Sequence, residues 1–298
     1  MYRYPVAEPE IGEEELNNVI EAVKSGWISS KGRFIEEFER AFANYIGTNY
    51  GIATSSGTAA LHLALAALDI GPGDEVIVPD LTFAATINAV LYTGAKPVIV
   101  DIHPDYWCID PVKLEKAITP KTKAVIPVHL YGHPCDMDPI MEIASKYDLY
   151  VIEDAAEAHG AEYKGRKVGS FGHASCFSFY GNKIITTGEG GMVLTNDKRL
   201  AEKIRILRDH GMSPKKRYWH EVVGFNYNMT NIQATIGLAQ LSKIDKFIEK
   251  KRKIARIYAE ELSSVAGITL HPEMPWAKSI FWLYSILVDE KNYWNYRG

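Results

Sequence analysis

Val151-Ile-Glu-Asp-Ala-Ala-Glu-Ala-His-Gly160 begins as an apolar run, ends on two carboxylates and leaves through small residues. Too short for a helix, it reads as a strand buried on both faces, Leu149–Glu153, that delivers Asp154 at its carboxyl end. Downstream, Phe177-Ser-Phe-Tyr-Gly-Asn-Lys-Ile-Ile-Thr-Thr-Gly-Glu-Gly-Gly-Met192 closes a second strand, Ser175–Phe179. It then carries Lys183 on a turn and returns through glycines into a third strand, Met192–Thr195. Outward from this pair the alternation continues. Strands are predicted at Glu75–Pro79, Lys96–Asp101 and Ala124–Val128, and helices at Thr58–Leu68, Phe83–Tyr92 and Asp136–Tyr147. Helices at Glu13–Ser25 and Phe34–Tyr45 flank the loop 26–32, and two more, Thr230–Leu241 and Ile244–Leu262, precede a last strand, Trp282–Val288. Short continuous apolar strands alternating with helices predict an α/β layered fold with a mainly parallel sheet.

In such a sheet, ligands lie beyond the carboxyl ends of the strands. Ser55-Ser-Gly-Thr-Ala-Ala-Leu61 opens a helix whose free N–H groups and positive dipole end suit a phosphate. The same residues also make an ordinary N-cap. Asp154 is placed to hold a proton on a pyridine nitrogen, which keeps such a ring cationic and makes it an electron sink. A metal ligand or a helix cap is the alternative use of that residue. Lys183 is flanked by apolar and small residues, with no charge before Glu189. It can point into a cleft, where a cationic ring lowers its pKa and makes the amine a nucleophile; a solvated loop lysine is the alternative. Together these supply what pyridoxal phosphate needs: a phosphate cradle, a partner for the ring nitrogen and an amine for the aldehyde. His159 reads as a hydrogen-bonded structural histidine.

The 298 residues suffice for one large and one smaller domain, and 47% hydrophobic with 23% charged residues is ordinary globular composition. A net charge of −4 argues against a nucleic-acid binder. Cys108, Cys135 and Cys176 form no CxxC pair, so reduced thiols, a cytoplasmic protein and no metal site are expected. No signal peptide is legible, and the apolar stretch around 59–68 is too short to span a membrane. No GxGxxG follows the first strand, which sets a nicotinamide dehydrogenase aside.

With these residues in view, the chain resembles the DegT/DnrJ/StrS sugar aminotransferases over nearly its whole length. The resemblance is carried by Trp27-Ile-Ser-Ser30, Ser56-Gly-Thr58, Gly71-Pro-Gly-Asp-Glu-Val-Ile-Val-Pro79, Val128-His-Leu-Tyr-Gly132, Glu153-Asp-Ala-Ala156, the Lys183 segment and Phe225-Asn-Tyr-Asn-Met-Thr-Asn-Ile-Gln233. It implies the type I pyridoxal-phosphate-dependent aminotransferase fold, a mainly parallel seven-stranded sheet with helices on both faces plus a small C-terminal α/β domain. The implied division is an arm at 1–12, a large cofactor-binding domain at 13–240, and a connecting helix with a partial small domain at 241–298. By the same resemblance Lys183 carries the cofactor as a Schiff base and serves as the catalytic acid and base, while Asp154 binds the ring nitrogen. Gly57 and Thr58, beside Ser56 and with Ser178, hold the phosphate, and Phe83 stacks on the ring. Asn228 reaches the phosphate from a neighbouring subunit, so a homodimer with shared sites is expected. Glu157 stands near the ring hydroxyl, where many relatives have glutamine.

The implied reaction moves an amino group from L-glutamate to C4 of a nucleotide-linked 4-keto-6-deoxy sugar. The runs Pro134-Cys-Asp-Met-Asp138, Ala155-Ala-Glu-Ala-His-Gly160, Gly181-Asn-Lys-Ile-Ile-Thr-Thr-Gly-Glu-Gly-Gly191 and Arg217-Tyr-Trp-His220 resemble the branch that acts on GDP-4-keto-6-deoxymannose in surface-glycan synthesis. A dTDP- or UDP-linked acceptor, or a non-catalytic paralogue, is the alternative. The sugar dehydratases of this fold carry histidine in place of Lys183. Family members continue past the Trp282–Val288 strand, whereas Lys291-Asn-Tyr-Trp-Asn-Tyr-Arg-Gly298 does not resemble their continuation. An unpaired strand edge and uncovered apolar surface are therefore expected in the small domain.

Overall fold

The computed structural model describes residues 7–289; residues 1–6 of the expected arm and the closing stretch Lys291–Gly298 lie outside them. In chain order the elements are α1 (Glu13–Ser25), α2 (Arg33–Ile46), β1 (Tyr50–Thr54), α3 (Gly57–Ala67), β2 (Glu75–Pro79), α4 (Ala84–Tyr92) and β3 (Lys96–Val100). Next come α5 (Pro111–Lys116), β4 (Thr122–Val125), α6 (Met137–Lys146), β5 (Tyr150–Asp154), β6 (Glu162–Tyr163), β7 (Arg166–Lys167), β8 (Ala174–Ser178) and β9 (Gly191–Thr195). The last are α7 (Lys198–Arg208), α8 (Asn231–Ser242), α9 (Ile244–Leu262), β10 (Ile268–Thr269), β11 (Ala277–Lys278) and β12 (Leu287–Val288).

Seven strands form one sheet in the order β1-β9-β8-β5-β4-β2-β3. Every pairing is parallel except the two made by β9, which runs against β1 and β8. The expected mainly parallel α/β fold is therefore present. β2, β8 and β9 are buried along their whole length and β5 along all but its first residue, because helices cover both faces of the sheet. α3 is apolar around nearly its full circumference and is correspondingly buried. α2 is amphipathic instead: Phe34, Phe38, Phe42 and Ile46, spaced to share one face, turn inward, and Phe38 and Phe42 pack on Phe179 at 5.0 and 5.1 Å between ring centroids.

Three departures from the sequence reading have local causes. β1 was not anticipated; Gly51 interrupts its apolar run, and pairing with β9 makes it a strand. The strand expected over Ala124–Val128 ends its regular ladder at Val125, since Pro127 has no N–H to donate. Pro127 still accepts from the Asp154 N–H at 2.9 Å, and Val128 bridges Asp154. The strand expected over Trp282–Val288 shrinks to β12, which pairs with β10. Phe281 takes a left-handed φ of 47° that breaks the extended path just before Trp282. β11 pairs with β6, so this C-terminal stretch is tied to the main body. Leu287 and Val288 are 52% and 44% exposed. No helix among the described residues is long and apolar enough to cross a membrane.

Candidate active site

β1, β2, β4, β5 and β8 all point their carboxyl ends to one edge of the sheet, because β9 alone runs the other way. At that edge lies a cavity of about 340 Å³, a size suited to a small cofactor. Its walls include Ser56, Gly57, Thr58, Phe83, Asp154, Glu157, Ser178 and Lys183. Eight of the nine site residues expected from the sequence thus meet in one place. The ninth, Asn228, lies off the wall: its Nδ2 donates to Asp209 Oδ1 at 3.1 Å, and its backbone bridges Thr54.

Each wall has a local cause. Ser56 caps α3, its Oγ accepting the Ala59 N–H at 3.1 Å. The N–H groups of Gly57 and Thr58 belong to the first turn and have no partner within the helix, so they remain donors for an anion. Gly57 is required by its neighbour: a Cβ there would stand 2.8 Å from the Ser178 Cβ, so the helix start and the end of β8 approach closer than any side chain permits. Phe83 precedes α4 and is 71% exposed, an aromatic face left open at the rim.

Asp154 ends β5, buried and oriented by two donors: Thr86 Oγ1 at 2.7 Å from its Oδ2 and the Ala156 N–H at 3.2 Å from its Oδ1. Burial raises its pKa, opposed by those hydrogen bonds and by the charge of Lys183. Glu157 accepts the backbone N–H of Tyr131 at 2.8 Å, Tyr131 standing in a left-handed conformation at φ 52°. Burial pushes Glu157 up to about 7, although Lys183 Nζ lies 3.9 Å from its Oε1. Burial likewise lowers the pKa of Lys183, against the attraction of Glu157 and Asp154. Burial thus works against the charged form of both Lys183 and Glu157, a pairing suited to proton transfer.

Behind Asp154 sits a buried support. Glu153 accepts three backbone N–H groups, from Gly169 at 2.6 Å and from Phe171 and Gly172 at 2.7 Å each. Its Oε2 also lies 3.1 Å from His129 Nε2. Because the Cys135 N–H donates to His129 Nδ1 at 3.0 Å, Nε2 carries the hydrogen and donates to Glu153. His129 N–H in turn donates to the Asp154 carbonyl at 3.1 Å. His159 is fully buried among Phe42, Phe177 and Phe179, and burial drives its pKa to about 3, so it is a neutral core residue. Contrary to the hydrogen-bonded role expected, neither ring nitrogen has a hydrogen-bond partner among the described residues.

The chemistry of these donors fits pyridoxal phosphate: hydroxyls and helix N–H groups for a phosphate, a fixed carboxylate for a protonated ring nitrogen, and a buried amine for an aldehyde. Sequence reasoning did not assign Thr86, Tyr131, the Glu153–His129 support or Trp282, which also lines the cavity. Thr86 lies inside the helix expected over Phe83–Tyr92; Trp282 carried no local signal at all. No group of three or more His, Cys, Asp or Glu among the described residues is arranged to hold a metal.

Comparison with known proteins agrees with this geometry. Residues 9–297 match the family described as the DegT/DnrJ/EryC1/StrS aminotransferase family. A GDP-perosamine synthase of Caulobacter vibrioides is 53% identical over 97% of this chain and 78% of its own. One from Escherichia coli O157:H7 is 50% identical over 95% and 77%. The Streptococcus pneumoniae protein Spr1654, solved in its PLP form, superposes with a TM-score of 0.91 at 33% identity, covering 97% of this chain and 79% of that one.

Proposed function

The chain belongs to the DegT/DnrJ/EryC1/StrS aminotransferase family, whose cofactor is pyridoxal phosphate, and on that premise we propose that it transfers an amino group from L-glutamate to C4 of GDP-4-keto-6-deoxymannose, forming GDP-perosamine. The observation that carries the reading is the meeting of Lys183, Asp154 and the α3 start in one cavity. Identity of 50 to 53% to two proteins named GDP-perosamine synthase supports the choice of sugar.

When bound, the cofactor supplies an electron sink that stabilises a carbanion at the donor's Cα. Gly57, Thr58, Ser56 and Ser178 would hold its phosphate, Asp154 would keep the ring nitrogen protonated, and Phe83 would cover the ring. Lys183 Nζ would hold the cofactor's aldehyde, and its amine is the group in the cavity placed to take a proton from the donor's Cα and to return it. Glu157, 3.9 Å from that amine, favours its charged form against the opposing effect of burial. Thr86 holds Asp154 in place, and Glu153 with His129 fixes the strand end that carries it. The proposal includes a homodimer in which Asn228 serves a second copy's phosphate site. It also includes a cytoplasmic location, where the free thiols of Cys108, Cys135 and Cys176 persist. It divides the chain into an arm at 1–12, a large domain at 13–240 and a smaller unit from 241.

The test is an acceptor panel read by mass spectrometry with L-glutamate as donor. Amination of GDP-4-keto-6-deoxymannose is expected, together with fixation of the cofactor on Lys183 by borohydride. Turnover only with dTDP- or UDP-linked ketosugars rejects the sugar. A reducible cofactor adduct that survives Lys183→Ala rejects the site.

A further inference from the structure

Lys183 has a partner drawn from almost a hundred residues downstream. Its Nζ lies 3.7 Å from the centroid of the Trp282 indole, within the range of a cation–π contact. The same indole donates its Nε1–H to the carbonyl of Asn182, the residue before Lys183, at 2.8 Å. Trp282 is 6% exposed, so its ring sees the cavity and little bulk water. Its own backbone is held from several sides. Lys251 Nζ on α9 donates to the Trp282 carbonyl at 3.1 Å, and the nearby Ile280 N–H and Ser279 hydroxyl both donate to the Gly132 carbonyl at 3.1 Å. Arg252 grips the Ser279 carbonyl.

We propose that Trp282 is a positioning residue for Lys183: its face holds the ammonium and its N–H fixes the peptide that presents it. This rests on the reading of Lys183 given above. The charges that act on Lys183 are acidic. Glu157 lies 3.9 Å away, Asp154 acts on it electrostatically from the end of β5, Glu189 lines the same cavity and His159 is neutral. Of the two lysines that share the other cavity beside Lys183, Lys250 is paired with Glu10 at 2.6 Å. Lys251 is turned to the Trp282 carbonyl instead. Whenever Lys183 is not joined to the cofactor, the indole face and the Glu157 carboxylate are its two nearest partners for charge. The consequence is that a residue from the C-terminal part of the chain tunes the amine of a turn in the large domain. It also walls the space next to that amine.

The geometry makes opposite predictions for two roles. If Trp282 only fills space, Trp282→Leu admits water to the ammonium and raises the pKa of Lys183. If the indole face holds the cation, its loss lowers that pKa. The measurement is competitive acetylation of the cofactor-free protein by a trace of acetic anhydride across pH, with modification of Lys183 read by peptide mass spectrometry. We expect the midpoint in Trp282→Leu to fall by about one pH unit, roughly tenfold more free amine at a given pH below it. Trp282→Phe keeps a ring face and loses the N–H, and should shift by less than half as much in the same direction. A midpoint that stays or rises in the leucine variant overturns the proposal. Should that variant fail to fold in a urea titration, the phenylalanine variant decides alone, and an unchanged or raised midpoint there overturns it equally. The assay needs no turnover. Trp282-dependent labelling without amination of a GDP-linked ketosugar therefore keeps this inference and rejects the sugar, and amination with Trp282-independent labelling does the reverse.

Discussion

Glu157→Gln should make the cofactor-free protein more stable at alkaline pH and leave it unchanged at acid pH. Glu157 is 7% exposed, and burial raises its pKa from 4.5 to about 7. Below pH 4.5 the carboxyl is protonated in both the folded and the unfolded chain, so glutamate and glutamine are equivalent. Between 4.5 and about 7 the unfolded chain releases the proton while the folded chain keeps it, and the wild type loses stability as pH rises. Above about 7 that loss is complete. The interval corresponds to about 3 kcal/mol, a large share of the stability of an ordinary domain. Glutamine keeps the carbonyl oxygen that accepts the Tyr131 N–H, so the comparison isolates the charge. Urea titrations of both proteins at pH 4.5, 6 and 8 measure the difference directly. A gap between variant and wild type that is flat over this range would refute the reasoning, because it would mean that Glu157 ionises in the folded protein as easily as in water.

Two further substitutions test the geometry around the cavity. Gly57→Ala places a Cβ 2.8 Å from the Ser178 Cβ, which must part α3 from β8; a tenfold or greater rise in cofactor Kd is expected, at an overpacking cost of about 1–3 kcal/mol, and an absorbance titration reads it. Glu153→Gln sets an NH₂ group against N–H donors, since both carboxylate oxygens are now acceptors; a loss of about 3 kcal/mol in urea unfolding is expected, and no loss would show that the His129 contact and the three backbone bonds are dispensable.

Much of the site was legible in sequence because its parts are locally coded. A strand that ends in Glu153-Asp154, a serine-glycine-threonine start to an apolar helix and a lysine between apolar residues each report a burial pattern or a turn within a few residues. Boundaries slipped where a single residue changed the backbone: Pro127 stopped a ladder early, and the left-handed Phe281 ended what read as a long strand. β1 escaped notice because Gly51 weakens its pattern, and only the partner strand β9 makes it regular.

The amino-acid sequence by itself determined the alternation of strands and helices, the residues that gather at the candidate cavity and the family. Periodicity and turn chemistry act over short distances, and motifs preserve them. Tertiary structure alone decided which groups meet. It set Lys183 3.9 Å from Glu157, put Thr86 on Asp154, kept Asn228 off its own cavity wall and laid Trp282 against the lysine. Those contacts join residues far apart in the chain through the order of the sheet. The charge of a buried group depends on what surrounds it in space, which no local pattern reports.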